Sequence, residues 1–248
     1  MSIAAPQLQF ENLADEYEHM VTLPFRRQIE IPAVMESLGD ISGMHVLDFG
    51  CGSGHYARLL KKHGAARVAG YDAAGGMLDY ARRRELQEQL GIEYFSDLPS
   101  AFDGQFDVVL GVYVLPYATS QAKLAAMTAS MARLLKPGGR LLTLPLHPRY
   151  ALPENYYSSY GFSLSSAQPY ADGGEVHLHL PSDKTPIDIT AWYWSAATLE
   201  QALTRSGFVN ISWTDPLPAD IAAKPPAELQ AYLEKPHTVL INCNYAPA

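Results

Sequence analysis

What the 248-residue chain has little of narrows its biology first. It carries two cysteines, Cys51 and Cys243, too few for a disulfide framework and without the spacing of a metal site. No uninterrupted apolar run reaches the roughly 18 residues of a membrane-spanning helix, so no membrane contact is expected. Basic residues are scarce: 18 Lys and Arg stand against 26 Asp and Glu, a net charge of −8. Affinity for nucleic acid rests largely on neutralising phosphates, so a polyanionic partner is not expected either. The densest basic cluster, Arg82 to Arg84, reads as the solvated face of a helix. The opening MSIAAPQLQF has no basic stretch leading into an apolar one, and the expectation is a cytoplasmic protein, monomer or homodimer.

Apolar residues, by contrast, make up 48% of the chain and aromatics 10%, enough for a large core. The length suits one α/β domain spanning 1–248. Residues 10–39 read as helical, interrupted by Pro24 and Pro32. From 45 to 145 strands and helices alternate. Strands are expected at Val46–Phe49, Arg67–Tyr71, Ile92–Phe95, Phe106–Val112 and Arg140–Leu144. Helices are expected at Tyr56–Lys62, Gly76–Leu90 and Gln121–Leu135. That alternation implies a parallel sheet with right-handed crossovers, and the LysProGlyGly of 136–139 reads as a helix stop. Past 145 the rhythm changes. EVHLHL (175–180) and IDITAWYW (187–194) alternate like an inserted antiparallel hairpin. A helix at Ala197–Ser206 and strands at Phe208–Trp213 and Thr238–Asn244 follow, with a Pro-rich insert at 215–236 holding a short helix near Glu228–Glu234.

The stretch HVLDFGCGSGHY (45–56) carries the sharpest chemical signal. Glycines at 50, 52 and 54 let the backbone bend after a strand and present amides at a helix N-terminus. A dinucleotide turn needs its third glycine at 55, where this chain has His55. Asp48, two residues before the first glycine, repels a pyrophosphate but attracts an ammonium. Asp72 ends the second strand about 20 residues on, where a carboxylate accepts both hydroxyls of a ribose. Asp97 follows the third strand, where it can accept from an adenine amino group. Each acid also suits a plain turn or helix cap.

VLDFGCGSG (46–54), GYD (70–72), the Asp97-Leu98 pair, FDVVLGVYVLP (106–116) and LKPGG (135–139) together resemble the successive motifs of class I S-adenosylmethionine (SAM)-dependent methyltransferases. The resemblance covers roughly residues 40–146. It implies a Rossmann-like α/β fold: a seven-stranded, mostly parallel sheet whose last two strands form an antiparallel hairpin. It also implies SAM as cofactor and S-adenosylhomocysteine (SAH) as product. Asp48, Gly50, Gly52, Asp72, Ala73, Met77, Asp97, Leu98 and Val112 are the expected cofactor-site residues, with Met77 placed to pack on the adenine. ADEYE (14–18), LPFRRQIEIP (23–32) and LGDISGM (38–44) are similar to bacterial methyltransferases of the toxoflavin-synthase type, which N-methylate an azapteridine.

The resemblance makes residues 1–40 a helical lid, and the insertion at 146–195 is the expected substrate cap. Methyl transfer from a sulfonium is governed by orientation, so a strong base is optional. Tyr17 on the lid, Tyr117 after the fourth strand and His147 after the fifth are the candidate catalytic residues. Tyr113, Tyr150, Trp192 and Trp194 are the candidate acceptor contacts, since their rings can stack on a flat heteroaromatic small molecule. The same aromatics suit a satellite core beneath the insertion. His177 and His179 share a strand face without a third ligand and read as a solvent-facing pair. The reading is a methyl transfer to nitrogen or oxygen of a small planar metabolite. A SAM-binding subunit without turnover and an NAD-linked oxidoreductase are the rival readings.

Overall fold

The computed structural model describes residues 9–181 and 186–247. The opening MSIAAPQL and the turn residues Ser182–Thr185 of the expected hairpin lie outside that range. Seven strands form one sheet in the order β3-β2-β1-β4-β5-β10-β9. They are β1 His45–Phe49, β2 Arg67–Tyr71, β3 Glu93–Phe95, β4 Phe106–Val112, β5 Leu135–Leu144, β9 Phe208–Thr214 and β10 Leu240–Tyr245. The first five pair in parallel, and β10 runs antiparallel to both β5 and β9.

Both faces of this sheet are covered, which explains why its strands are near-continuous apolar runs. Leu47, Ala69, Val109, Leu141 and Ile241 point to one side, against the helices Gln121–Leu134 and Ala196–Arg205. Val46, Val68, Val108, Leu110 and Leu142 point to the other, against Ile31–Leu38 and His55–Lys62. Odd and even positions thus feed separate cores, as the pleat requires. Local chemistry starts the helices: the Ser120 and Ser195 hydroxyls accept from the amides of Lys123 and Thr198.

Three expectations are corrected. Pro32 does not interrupt its helix. A π-helical turn, Arg26–Glu30, precedes it and runs straight into Ile31–Leu38, widening the spiral where proline offers no amide. LysProGlyGly follows the helix that ends at Leu134, as expected, but it lies within β5 as a bulge, so the strand begins at Leu135 and not at Arg140. Between the pairs Phe106–Leu135 and Val108–Arg140, β4 advances two residues and β5 five. Pro137 therefore sits in the looped-out segment where no ladder bond is needed. Finally, the inserted hairpin is a three-stranded sheet, β6 Ser163–Ser165, β7 Glu175–Leu180 and β8 Ile187–Trp192, in that order.

That small sheet encloses a third core. Phe25 and Ile29 from the N-terminal helices meet Tyr150, Tyr157, Tyr160 and Phe162 from the insertion, with Tyr232 from the helix Gln230–Glu234. The satellite core packs beside the carboxyl ends of the parallel strands through Tyr117 and Leu146. A cleft is left between the two bodies of packed side chains.

Candidate active site

The cleft holds a cavity of about 370 Å³. Its floor is the glycine turn after β1. Gly50, Gly52 and Gly54 all take positive φ, at 75°, 53° and 79°. A Cβ on Gly50 would stand 2.6 Å from Val114, and one on Gly54 would stand 2.4 Å from the Tyr94 hydroxyl, so neither space nor conformation admits a side chain. The amides of Gly50 and Cys51 donate to the Tyr71 carbonyl at 2.7 and 2.8 Å, which ties the turn to the end of β2.

Asp72 stands at that end. Its carboxylate accepts from the Gly52 amide at 2.7 Å and from the Ala74 amide at 2.9 Å. It is both a turn acid and a lining residue, since its outer lone pairs remain free at the cavity wall. Asp48 is buried beneath the turn, and its Oδ2 has no hydrogen-bond partner. Burial pushes its carboxyl up to about 7. An orphaned carboxylate of this kind calls for a cation from outside the chain.

The N-terminal segment closes over the turn through a hydroxyl hydrogen bond, an ion pair and a helix cap. Glu18 accepts from the Ser53 hydroxyl at 2.6 Å and from Arg58 at 2.7 Å. Glu11 accepts from the amides of Gly75 and Gly76, at 3.1 and 2.8 Å, where the helix Gly75–Glu88 begins. An acid there answers the positive end of the helix. Phe10 and Tyr17 are thereby held at the cavity wall. Arg26 is 6% exposed and faces the same space. Its guanidinium lies 4.9 Å over the Tyr113 ring, and its Nε, 3.2 Å from Glu30, makes no hydrogen bond.

A second, smaller cavity of about 30 Å³ adjoins the first through Tyr17, Arg26, Tyr113 and Tyr117. Its other walls are Met20, Phe25, Phe162, Leu178, Leu180 and His237. The hydroxyls of Tyr17 and Tyr117 stand 3.5 Å apart at the junction. Burial raises the pKa of both, so both are neutral phenols.

The residues singled out from sequence divide in two. Asp48, Gly50, Gly52, Asp72, Ala73, Met77, Leu98, Val112, Tyr113, Tyr17 and Tyr117 line the main cavity. Asp97, Tyr150, Trp192, Trp194 and His147 line neither cavity. Asp97 is exposed at the surface, and only its neighbour Leu98 turns inward. Tyr150 belongs to the satellite core. Trp194 is buried in the main core and Trp192 packs against it, because β8 ends at Trp192 and the chain turns there toward Ala196–Arg205. His147 faces away, with Nε2 3.2 Å from Asp215 and Nδ1 accepting from the Arg149 amide. His177 and His179 are exposed beside Glu175 and Asp188, and no metal-binding cluster occurs among the described residues. Sequence reasoning missed Arg26, Glu30 and His237. The available signal for the first two was a pair of opposite charges four apart in a helical stretch flanked by Phe25, Ile29 and Ile31.

The donor set fits SAM. The lone Asp48 suits its ammonium, Arg26 its carboxylate, Asp72 its ribose, and Met77 with Leu98 and Tyr71 the adenine faces. When bound, SAM supplies a methyl group made electrophilic by its sulfonium.

Comparison with known proteins agrees. The profile of a methyltransferase domain family matches residues 46–139. Demethylmenaquinone methyltransferase of Tropheryma whipplei is 33% identical over 190 residues, 73% of each chain. N-demethylindolmycin N-methyltransferase of Streptomyces griseus is 24% identical over 227 residues, 86% of this chain and 92% of that one. The match to the ubiquinone biosynthesis O-methyltransferases of Coxiella burnetii, 34% identical, spans only 43% of their length. A crystal structure of a SAM-dependent methyltransferase from Mesorhizobium loti superposes with a TM-score of 0.60 at 25% identity, covering 87% of this chain and 97% of the other. With the sheet order, the glycine turn and its acids already in place, these likenesses show that the chain belongs to the class I SAM-dependent methyltransferases.

Proposed function

We propose that the enzyme methylates a nitrogen or oxygen of a small planar metabolite seated in the main cavity, at its junction with the second one. The observation that carries this reading is the junction itself: Tyr17, Tyr113 and Tyr117 form an aromatic wall, shared with the second cavity, on the space whose residues suit SAM. The names of the T. whipplei and S. griseus relatives, both small-molecule methyltransferases, support an acceptor of that size. The resemblance of residues 14–44 to the toxoflavin-synthase type makes an azapteridine the first acceptor to try. In this proposal the chain works as one domain, with the N-terminal helices as lid and the insertion as cap.

The residues contribute mainly by placement. Tyr17, Tyr113 and Tyr117 supply flat walls that hold a ring, and the hydroxyl pair at the junction orients a polar edge. The apolar side chains of Phe25, Phe162, Leu178 and Leu180 exclude water from the acceptor. Incubating the enzyme with radiolabelled SAM and a panel of azapteridines, pyridones, catechols and aminophenols tests the reading. Label transfer to a planar member is expected. Transfer to none of them, by protein that binds SAM, would sink it.

A further inference from the structure

Behind the second cavity lies a buried polar cluster in an otherwise aromatic core. Glu30 is fully buried and accepts from three hydroxyls: Tyr113 at 2.6 Å, Tyr232 at 2.8 Å and Thr238 at 2.9 Å. Arg26 balances its charge. Both tyrosines thus spend their protons on Glu30 and offer only lone pairs elsewhere. His237 sits between those lone pairs. Its Nδ1 is 3.0 Å from the Tyr232 hydroxyl and its Nε2 is 3.3 Å from the Tyr113 hydroxyl. A neutral imidazole has one N–H, so one of these two contacts lacks a proton; an imidazolium fills both. The cluster has a place for one further proton, and both Tyr113 and His237 line the second cavity.

Tyr113 adds a second observation. It has φ of 57°, a left-handed conformation rare for a bulky side chain and costing on the order of 1–2 kcal/mol. That strain turns the ring off the end of β4 and onto Glu30.

Resting on the reading that the acceptor sits at the junction of the two cavities, which Tyr113 lines, the geometry points to the Tyr113–His237 pair as the proton acceptor of the reaction. Methylating an X–H group forms the X–C bond and frees one proton. That proton goes to the Tyr113 oxygen as the tyrosine's own proton turns from Glu30 and passes to His237 Nε2, leaving an imidazolium beside Glu30. Tyr113 meets the acceptor; His237 and Glu30 are positioning residues. The charges and ionisable groups around His237 are Glu30 and Arg26 from the N-terminal helices, Tyr113 after β4, Tyr232 and Tyr157 with rings 5.8 and 5.7 Å away, and His147. Burial lowers its pKa to about 4, so the ring begins neutral.

The experiment follows the His237 ring by NMR in isotope-labelled enzyme, assigned with His237→Gln, in complexes with SAM and with SAH. Losing the sulfonium charge is expected to raise the pH at which His237 titrates by about one unit. The same titration in both complexes would overturn the proposal, and this readout needs no acceptor. Single-turnover methylation of the best azapteridine or pyridone from the panel supplies the second arm. Tyr113→Phe and His237→Gln are expected to slow it about 100-fold at saturating SAM. Rates like wild type in folded variants would refute the assignment. If no panel member is methylated, the acceptor reading fails, while the titration still decides the proton site.

Discussion

Asp72 offers the most direct test of the cofactor site. In the free protein its carboxylate takes two backbone hydrogen bonds, from Gly52 and Ala74, and so shapes the wall of the main cavity. A bound ribose adds two hydroxyl donors to a charged acceptor, each worth roughly 1.5–3 kcal/mol. Asp72 is half-buried, so water recovers part of that in the variant. A net loss of about 3 kcal/mol remains, or roughly 100-fold in SAH affinity for Asp72→Ala. Asp72→Asn keeps the shape but turns an amide toward one of the two backbone donors, and an intermediate loss is expected. Titration calorimetry with SAH measures both, with circular dichroism to check folding. Wild-type affinity in folded Asp72→Ala would mean that SAM is held elsewhere, and the site as described would be refuted.

Asp48 predicts a pH dependence. Its folded-state carboxyl, near 7, lies above its ordinary value of 3.8, so between those values the folded protein binds more protons than the unfolded one. The free enzyme should lose stability as pH rises through that window, visible as a falling melting temperature. An ammonium reverses the cost, so SAH affinity should rise from pH 6 to 8, and Asp48→Asn should abolish the trend. Arg26→Ala leaves the Glu30 charge buried without its partner and is expected to cost about 3 kcal/mol in urea unfolding. Arg26→Met combined with Glu30→Gln should recover most of it. Gly76→Ala would place a Cβ 1.8 Å from the Glu11 carbonyl oxygen. It should release Glu11 from the helix start and expose residues 9–20 to limited proteolysis, with the sheet intact by circular dichroism.

The sheet and the cofactor side were legible in the sequence because local patterns determine them. β2 and β4 run from Arg67 to Tyr71 and from Phe106 to Val112, the ends expected from their sequences, since a strand buried on both faces reads as a near-continuous apolar run. The glycine turn was readable because positive φ at 50, 52 and 54 selects glycine residue by residue. Tertiary structure decided the rest. Ser163–Ser165 has a single apolar residue, Leu164, and is a strand only because β7 offers it an edge. Trp192 and Trp194 both meet the main core although β8 ends at Trp192, because the chain turns there toward Ala196–Arg205. Glu30 and Thr238 are 208 residues apart in the chain and 2.9 Å apart in space. No periodicity records that meeting. A hydrogen bond between distant residues is specified by the packing of everything between them, and only the folded chain reveals it.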